Sequence, residues 1–167
     1  MTRIWTDKNG FAENDPYVIE TEERKAGEGE VAVLDLATFL TQVVESNEGD
    51  LAVVLKPADD VRALEPYIDR IALVAVTFPA FNDGRGFSQA ALLRQRLGFT
   101  GDLRAVGDVL LDQIPHMLRT GFSSLAITNP VAIARLEAGK MPGIAQHYQP
   151  SVKPEAGGAG YSWRRRG

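Results

Sequence analysis

Short apolar runs alternate with helix-like stretches through the middle of this chain. The runs are Val31–Leu34, Leu51–Leu55, Ile71–Val76, Leu103–Val106 and Leu125–Ile127, each of strand length and bounded by charged or turn-forming residues. Helical spacing fits Leu36–Glu45, Asp60–Asp69, Gln89–Leu97, Gln113–Thr120 and Pro130–Ala138. Repeated strand–helix–strand units imply parallel strands joined by right-handed crossovers. The predicted class is therefore α/β, a single domain of alternating strands and helices around a mainly parallel sheet. Five units fall short of an eight-unit barrel, which needs ~250 residues. An open sheet or a partial TIM-barrel-like sheet remains, and a partial barrel completed by a second copy keeps a homo-oligomer open.

Several element boundaries carry their own signals. Asn129-Pro130 offers a capping side chain followed by a proline at the first helical position, where the missing N–H costs nothing. Ser88 is the expected cap of the helix from Gln89, and Gly98 follows its last turn as a left-handed cap would. Asp112 is the expected cap of the next helix, with Pro115 in its first turn and Gly121 ending it. Pro66 should kink or shorten the segment around Ala63. Phe87, Ala90, Leu93 and Leu97 make an apolar stripe suited to packing on a sheet.

The two ends look different. Residues 1–30 read as an acidic lead-in, partly extended, with one strand around Tyr17-Val18-Ile19; residues 31–150 form the α/β domain; residues 151–167 read as a flexible tail ending in Arg164-Arg165-Arg166. The net charge of −4 leaves no basic face for nucleic acid beyond that tail. With no cysteine, a thiol nucleophile, a thiolate zinc site and a cysteine-ligated iron–sulfur cluster are all excluded. No cofactor motif is recognisable, and no two histidines are spaced for a metal. Met1 to Glu13 holds charges and no apolar core, and no apolar run approaches a membrane span. A cytoplasmic location without membrane or nucleic-acid partners is the expectation.

Candidate chemistry concentrates at one edge. Ligands of parallel α/β folds sit beyond the carboxyl ends of the strands. Those ends deliver Asp35, Lys56, the Asp83-Gly84-Arg85-Gly86 loop, Gly107-Asp108 and Thr128-Asn129. Arg70, Asp102 and Arg104 lie at the opposite ends. Lys56, Asp83, Arg85, Gly86, Ser88 and Asn129 are the candidate ligand- or partner-binding residues, and Asp108 is the candidate catalytic base or magnesium ligand. Arg85 between glycines suits an oxyanion, with an ion pair to Asp83 or Asp108 as the plainer role. Gly84 and Gly86 are expected to supply backbone angles closed to other residues. Asp83 could equally shape an Asx-turn. His116 falls within a helix and reads as a packed or surface imidazole; His147 lies past the last helix.

The run Phe78-Pro-Ala-Phe-Asn-Asp-Gly-Arg-Gly-Phe-Ser88 joins further motifs at Leu93-Arg94, Gly101 to Leu110, Asp112-Gln113, Arg119 to Phe122 and Tyr148-Gln149. Together they resemble a bacterial domain-of-unknown-function family labelled as an oxidoreductase of sulfite reduction. That resemblance implies a place in assimilatory sulfite reduction, with sulfite reductase as the partner. Without cysteine, the chain would act there as an accessory protein, binding an anion or a partner, and not as the redox centre. The alternative is a small α/β enzyme on an anionic substrate using Asp108 and Arg85, with magnesium as an option.

Overall fold

The computed structural model describes residues 1–45 and 49–141. It has eight strands: β1 (Arg3–Thr6), β2 (Gly10–Phe11), β3 (Tyr17–Ile19), β4 (Val31–Asp35), β5 (Leu51–Leu55), β6 (Ile71–Phe78), β7 (Asp102–Gly107) and β8 (Ser124–Ile127). They form one sheet in the order β2-β1-β8-β7-β6-β5-β4-β3. Strands β3 to β8 run parallel in sequential order, while β1 pairs antiparallel with β8 and β2 with β1. The expected α/β class with a mainly parallel sheet is the observed one, in its partial-barrel form.

The curl of the sheet can be argued from two contacts. Four strand steps separate β3 from β7, which would be about 19 Å in a flat sheet. Yet Asp15, just ahead of β3, accepts from Arg104 of β7 at 2.7 Å, and the Tyr17 ring lies 5.4 Å from the Arg104 guanidinium carbon. Those side chains meet only if the sheet bends into a half-barrel.

The two faces follow the strand alternation of two. Val53, Leu55, Val74, Val76, Phe78, Leu103, Ala105, Leu125 and Ile127 belong to one large core with the helices. Val33, Ala52, Val54, Leu73, Ala75, Val106 and Ala126 belong to a second cluster on the concave face. Among the described residues, four α-helices pack the convex side: α1 (Leu36–Val43), α2 (Arg85–Ala91), α3 (Ile114–Thr120) and α4 (Pro130–Glu137).

Several boundaries differ from the sequence expectation. The lead-in supplies β1 and β2 as well as the expected β3; four- and two-residue strands are too short for alternation to reveal. The segment expected as a helix around Asp60–Asp69 is a 3₁₀ segment, Val61–Arg70, in which Pro66 lacks the N–H that an α-helix interior needs. Ser88 does not cap a helix at Gln89, because α2 already begins at Arg85. Asp83 opens that helix: its Oδ1 accepts the Arg85 N–H at 3.2 Å. A π-turn, Leu92–Arg96, then continues α2 into a left-handed Gly98. Asp112 lies in a 3₁₀ turn, Leu111–Gln113, and α3 starts at Ile114 without a side-chain cap. Asn129 does cap α4, its Oδ1 accepting the N–H groups of Val131 at 2.9 Å and Ala132 at 3.1 Å. The Arg164-Arg165-Arg166 tail and His147 lie outside the described residues.

Candidate functional site

The carboxyl edge is organised around the loop after β6. Phe81 stands at this loop with 60% of its surface exposed. Both of its backbone groups are nevertheless held by side chains from the next crossover. Asp108 Oδ2 accepts the Phe81 N–H at 3.0 Å, and Gln113 Nε2 donates to the Phe81 carbonyl at 2.8 Å. Asp108 is fixed in turn, its own N–H donating to the Phe78 carbonyl at 2.7 Å. An exposed aromatic ring is thus carried on a backbone that two distant residues immobilise.

Two glycines make this geometry available, for different reasons. Gly107 has φ +96°, and a Cβ there would stand 2.4 Å from the Phe78 carbonyl oxygen. Only glycine lets β7 turn so close beneath the loop. Gly86 is needed for close approach: a Cβ would meet the Phe78 ring at 2.7 Å. Contrary to the sequence expectation, neither Gly84 nor Gly86 has a positive φ. The reason is that both belong to an ordinary right-handed helix start, Gly84 as the N-cap and Gly86 within α2.

Arg85 and Asp83 face each other across two residues. The guanidinium donates from Nε to Asp83 Oδ1 at 3.0 Å and from Nη2 to Oδ2 at 2.7 Å. These bonds hold the Asp83 carboxyl below its ordinary range, with the backbone N–H of Arg85 adding to the effect. The Arg85 side chain remains 63% exposed, so the pair is a surface one and contributes little to stability. Its effect is to hold the Arg85 guanidinium in one orientation at the start of α2.

Lys56 follows β5 with an exposed side chain. Its backbone is anchored: the N–H donates to Asp59 Oδ2 at 2.7 Å, and the carbonyl accepts from Gln89 Nε2 of α2 at 2.8 Å. Asp35 sits at the end of β4, where hydrogen bonds from the Thr38 hydroxyl and N–H lower its carboxyl pKa, helped by the Lys56 charge. Ser88 is an exposed residue on α2, and Asn129 is committed to its cap. The structure therefore brings Asp83, Arg85, Gly86 and Asp108 into one loop assembly, ties Lys56 to it through Gln89, and leaves Ser88 and Asn129 outside that network. Among the described residues, no three His, Asp or Glu side chains are grouped as cation ligands.

Sequence reasoning missed Phe81 as a functional residue. The signal available was an aromatic residue placed among turn formers, Pro79-Ala80 before it and Asn82-Asp83-Gly84 after it. His116 is packed, its ring 4.3 Å from that of Phe87, and burial pushes its pKa down with Arg119 acting in the same sense.

The opposite strand ends carry a part-buried network around a buried Arg104. Asp102 accepts from the Ser123 hydroxyl at 2.6 Å, from the Ser124 hydroxyl at 2.8 Å and from Arg104 Nη2 at 3.2 Å. Arg104 is 7% exposed and also donates to Ser124 Oγ at 3.0 Å. Arg94 donates to the carbonyls of Gly121, Phe99 and Gly101 at 2.9, 2.8 and 3.0 Å, and burial pulls its pKa down.

Residues 52–157 match the model of a bacterial protein family of unknown function, DUF934. The chain belongs to this family. No curated protein and no solved structure matches it. The DUF934 match takes in the whole loop assembly from Lys56 to Gln113, and Arg104 with Asp102, while β1 to β4 precede it. Among the described residues of this DUF934 chain, no helix is long and apolar enough to cross a membrane.

Proposed function

We propose that this protein is an accessory protein of assimilatory sulfite reduction that works by docking a partner, sulfite reductase, and not as the redox centre. The observation that supports docking is Phe81, exposed on a backbone pinned by Asp108 and Gln113. Aromatic and arginine side chains dominate interface hot spots. Holding them in place beforehand lowers the ordering cost of association. Arg85, oriented by Asp83, and Lys56 on the neighbouring strand end supply charge for carboxylates or a bound anion at the same surface. The pathway assignment rests on the family resemblance of the loop and its following motifs. The cysteine-free composition supports the non-redox role.

The second reading, a small enzyme using Asp108 and Arg85 on an anionic substrate, draws less from the geometry. Asp108 Oδ2 is occupied by the Phe81 N–H, which commits that oxygen to holding the loop. A catalytic role through that oxygen would require Asp108 to release the Phe81 N–H on binding substrate.

Growth of a deletion strain tests the pathway. Slow growth on sulfate, corrected by cysteine and by the wild-type gene but not by Phe81→Ala, is the expected result. Wild-type growth on sulfate without the gene would remove the sulfite-reduction reading.

A further inference from the structure

Among the described residues the sheet has two outer edges, β2 and β3, and they are finished differently. Edge strands expose unpaired backbone donors and acceptors, and proteins blunt them with short length, charge, proline or bulges. β2 is blunt: it has only Gly10 and Phe11, and Gly10 has φ +70°. β3 is short as well, at three residues, but carries none of the other guards. Tyr17-Val18-Ile19 holds no charge and no proline, and its register against Val31, Ala32 and Val33 is unbroken. Glu20, the next charged residue, is turned back onto its own loop. Its carboxylate accepts from the Ala26 N–H at 3.1 Å and from Lys25 Nζ at 3.2 Å.

The ladder to β4 fixes which backbone groups β3 has to spare. The Pro16 carbonyl accepts from the Val31 N–H at 2.7 Å, and the Glu20 N–H donates to the Val33 carbonyl at 3.1 Å. Positions 16, 18 and 20 therefore turn their backbone groups toward β4, and Tyr17 and Ile19 turn theirs outward. Pro16 falls on the β4 side, so its missing N–H takes nothing from the outer edge. Ile19 also leaves an apolar side chain 38% exposed. The N–H and carbonyl groups of two residues and an apolar side chain thus lie along one uncharged edge.

We propose that this edge docks a second copy of the chain, β3 pairing antiparallel with β3 of the other copy about a two-fold axis at Val18. The spacing is self-complementary. With Val18 opposite Val18, Tyr17 of each chain faces Ile19 of the other, and each such pair exchanges both of its N–H···O bonds. Every outward backbone group of the two strands is then used. The same register lays each Tyr17 side chain against an exposed Ile19, an aromatic–β-branched pair that favours antiparallel neighbours. A slip by one residue would set the outward groups against positions already bonded to β4. A foreign strand could take the same hydrogen bonds, but a second copy matches the edge in both backbone and side chains. The pairing joins two half-barrel sheets into one. Three residues make a small interface, so the dimer is a reversible one.

Sedimentation equilibrium and residue-resolved amide exchange on the full chain test the assignment. The expected result is a monomer–dimer equilibrium below about 1 mM. The Tyr17 and Ile19 N–H groups should exchange about threefold or more slowly in concentrated than in dilute protein. Ile19→Pro removes an outward donor without touching a bond to β4, and edge strands accept proline on that side. It should be monomeric over the same range with unchanged far-UV circular dichroism. Ile19→Lys keeps the N–H but charges the edge, and should weaken dimerisation about tenfold or more. A monomer throughout, a dimer whose Tyr17 and Ile19 amides exchange at the dilute rate, or a dimer that Ile19→Lys leaves at wild-type affinity would each overturn the proposal. Protection of these two amides that appears only on adding sulfite reductase would also overturn it, by giving the edge to a foreign strand.

Discussion

The two ends of the parallel strands carry the same kinds of residue, an arginine, an aspartate and hydrogen-bonding partners, arranged to opposite effect. At the amino ends, Arg104 is buried and bonded to Ser124 and to two part-exposed carboxylates, Asp102 and Asp15. At the carboxyl ends, the exposed Arg85 bonds Asp83, and two solvent-facing hydrogen bonds, with Asp108 and Gln113, fix the backbone of Phe81. The first arrangement holds the sheet in its curl. The second spends fixed geometry on an exposed ring, which folding alone does not reward. Burial of the arginine, 8% exposed in one pair and 63% in the other, separates structural charge from presented charge more than residue type does.

Substitutions can break or sharpen this contrast. The largest effect is expected at the amino ends, where Asp102→Ala removes one of two carboxylates on Arg104 and the acceptor of the Ser123 and Ser124 hydroxyls, and should cost about 3 kcal/mol in denaturant unfolding. A change below ~1 kcal/mol would show that the network is not holding the sheet. Next comes Gly107→Ala, which forces an ordinary residue into φ +96° with its Cβ against the Phe78 carbonyl. The backbone angle alone should cost about 1–3 kcal/mol in thermal unfolding, and the loop should lose its fixed position.

Phe81→Ala should behave in the opposite way. Its unfolding free energy should stay within about 0.5 kcal/mol of wild type, as for surface substitutions. Partner affinity should fall by about 2 kcal/mol or more, roughly thirtyfold, as for a hot spot. Stability lost without affinity lost would reverse the assignment of this ring.

The smallest expected effect concerns pH. Asp35 caps α1, and the Thr38 hydroxyl bond, then the Thr38 N–H, depress its folded pKa below the ordinary carboxylate value. Its contribution is therefore fully present above the unfolded pKa and is lost as pH falls through the depressed folded one. Asp35→Ala should cost about 1 kcal/mol at neutral pH, a difference that shrinks in acid unfolding curves.

Long, uniformly apolar runs such as Ile71–Val76 announced buried parallel strands, and their sequential order announced the crossovers. β1 and β2 were illegible because Arg3–Thr6 and Gly10–Phe11 earn their strand geometry from β8 and from each other. The start of α2 was misplaced because two glycines in Asp83-Gly84-Arg85-Gly86 read as loop, whereas Gly86 is there to let the helix sit on Phe78. At the site, the ion pair of Arg85 was open between Asp83 and Asp108 in sequence, and the structure gives Asp83. Asp108 and Gln113 reaching Phe81 from 27 and 32 residues away is long-range geometry that no local pattern records.

Equilibrium binding between purified full-length protein and sulfite reductase tests the docking account most directly, with wild type and Phe81→Ala measured side by side. The account predicts a saturable complex that weakens at least about thirtyfold in Phe81→Ala while both proteins melt alike. No complex with wild type, or equal affinity for the two, would contradict it.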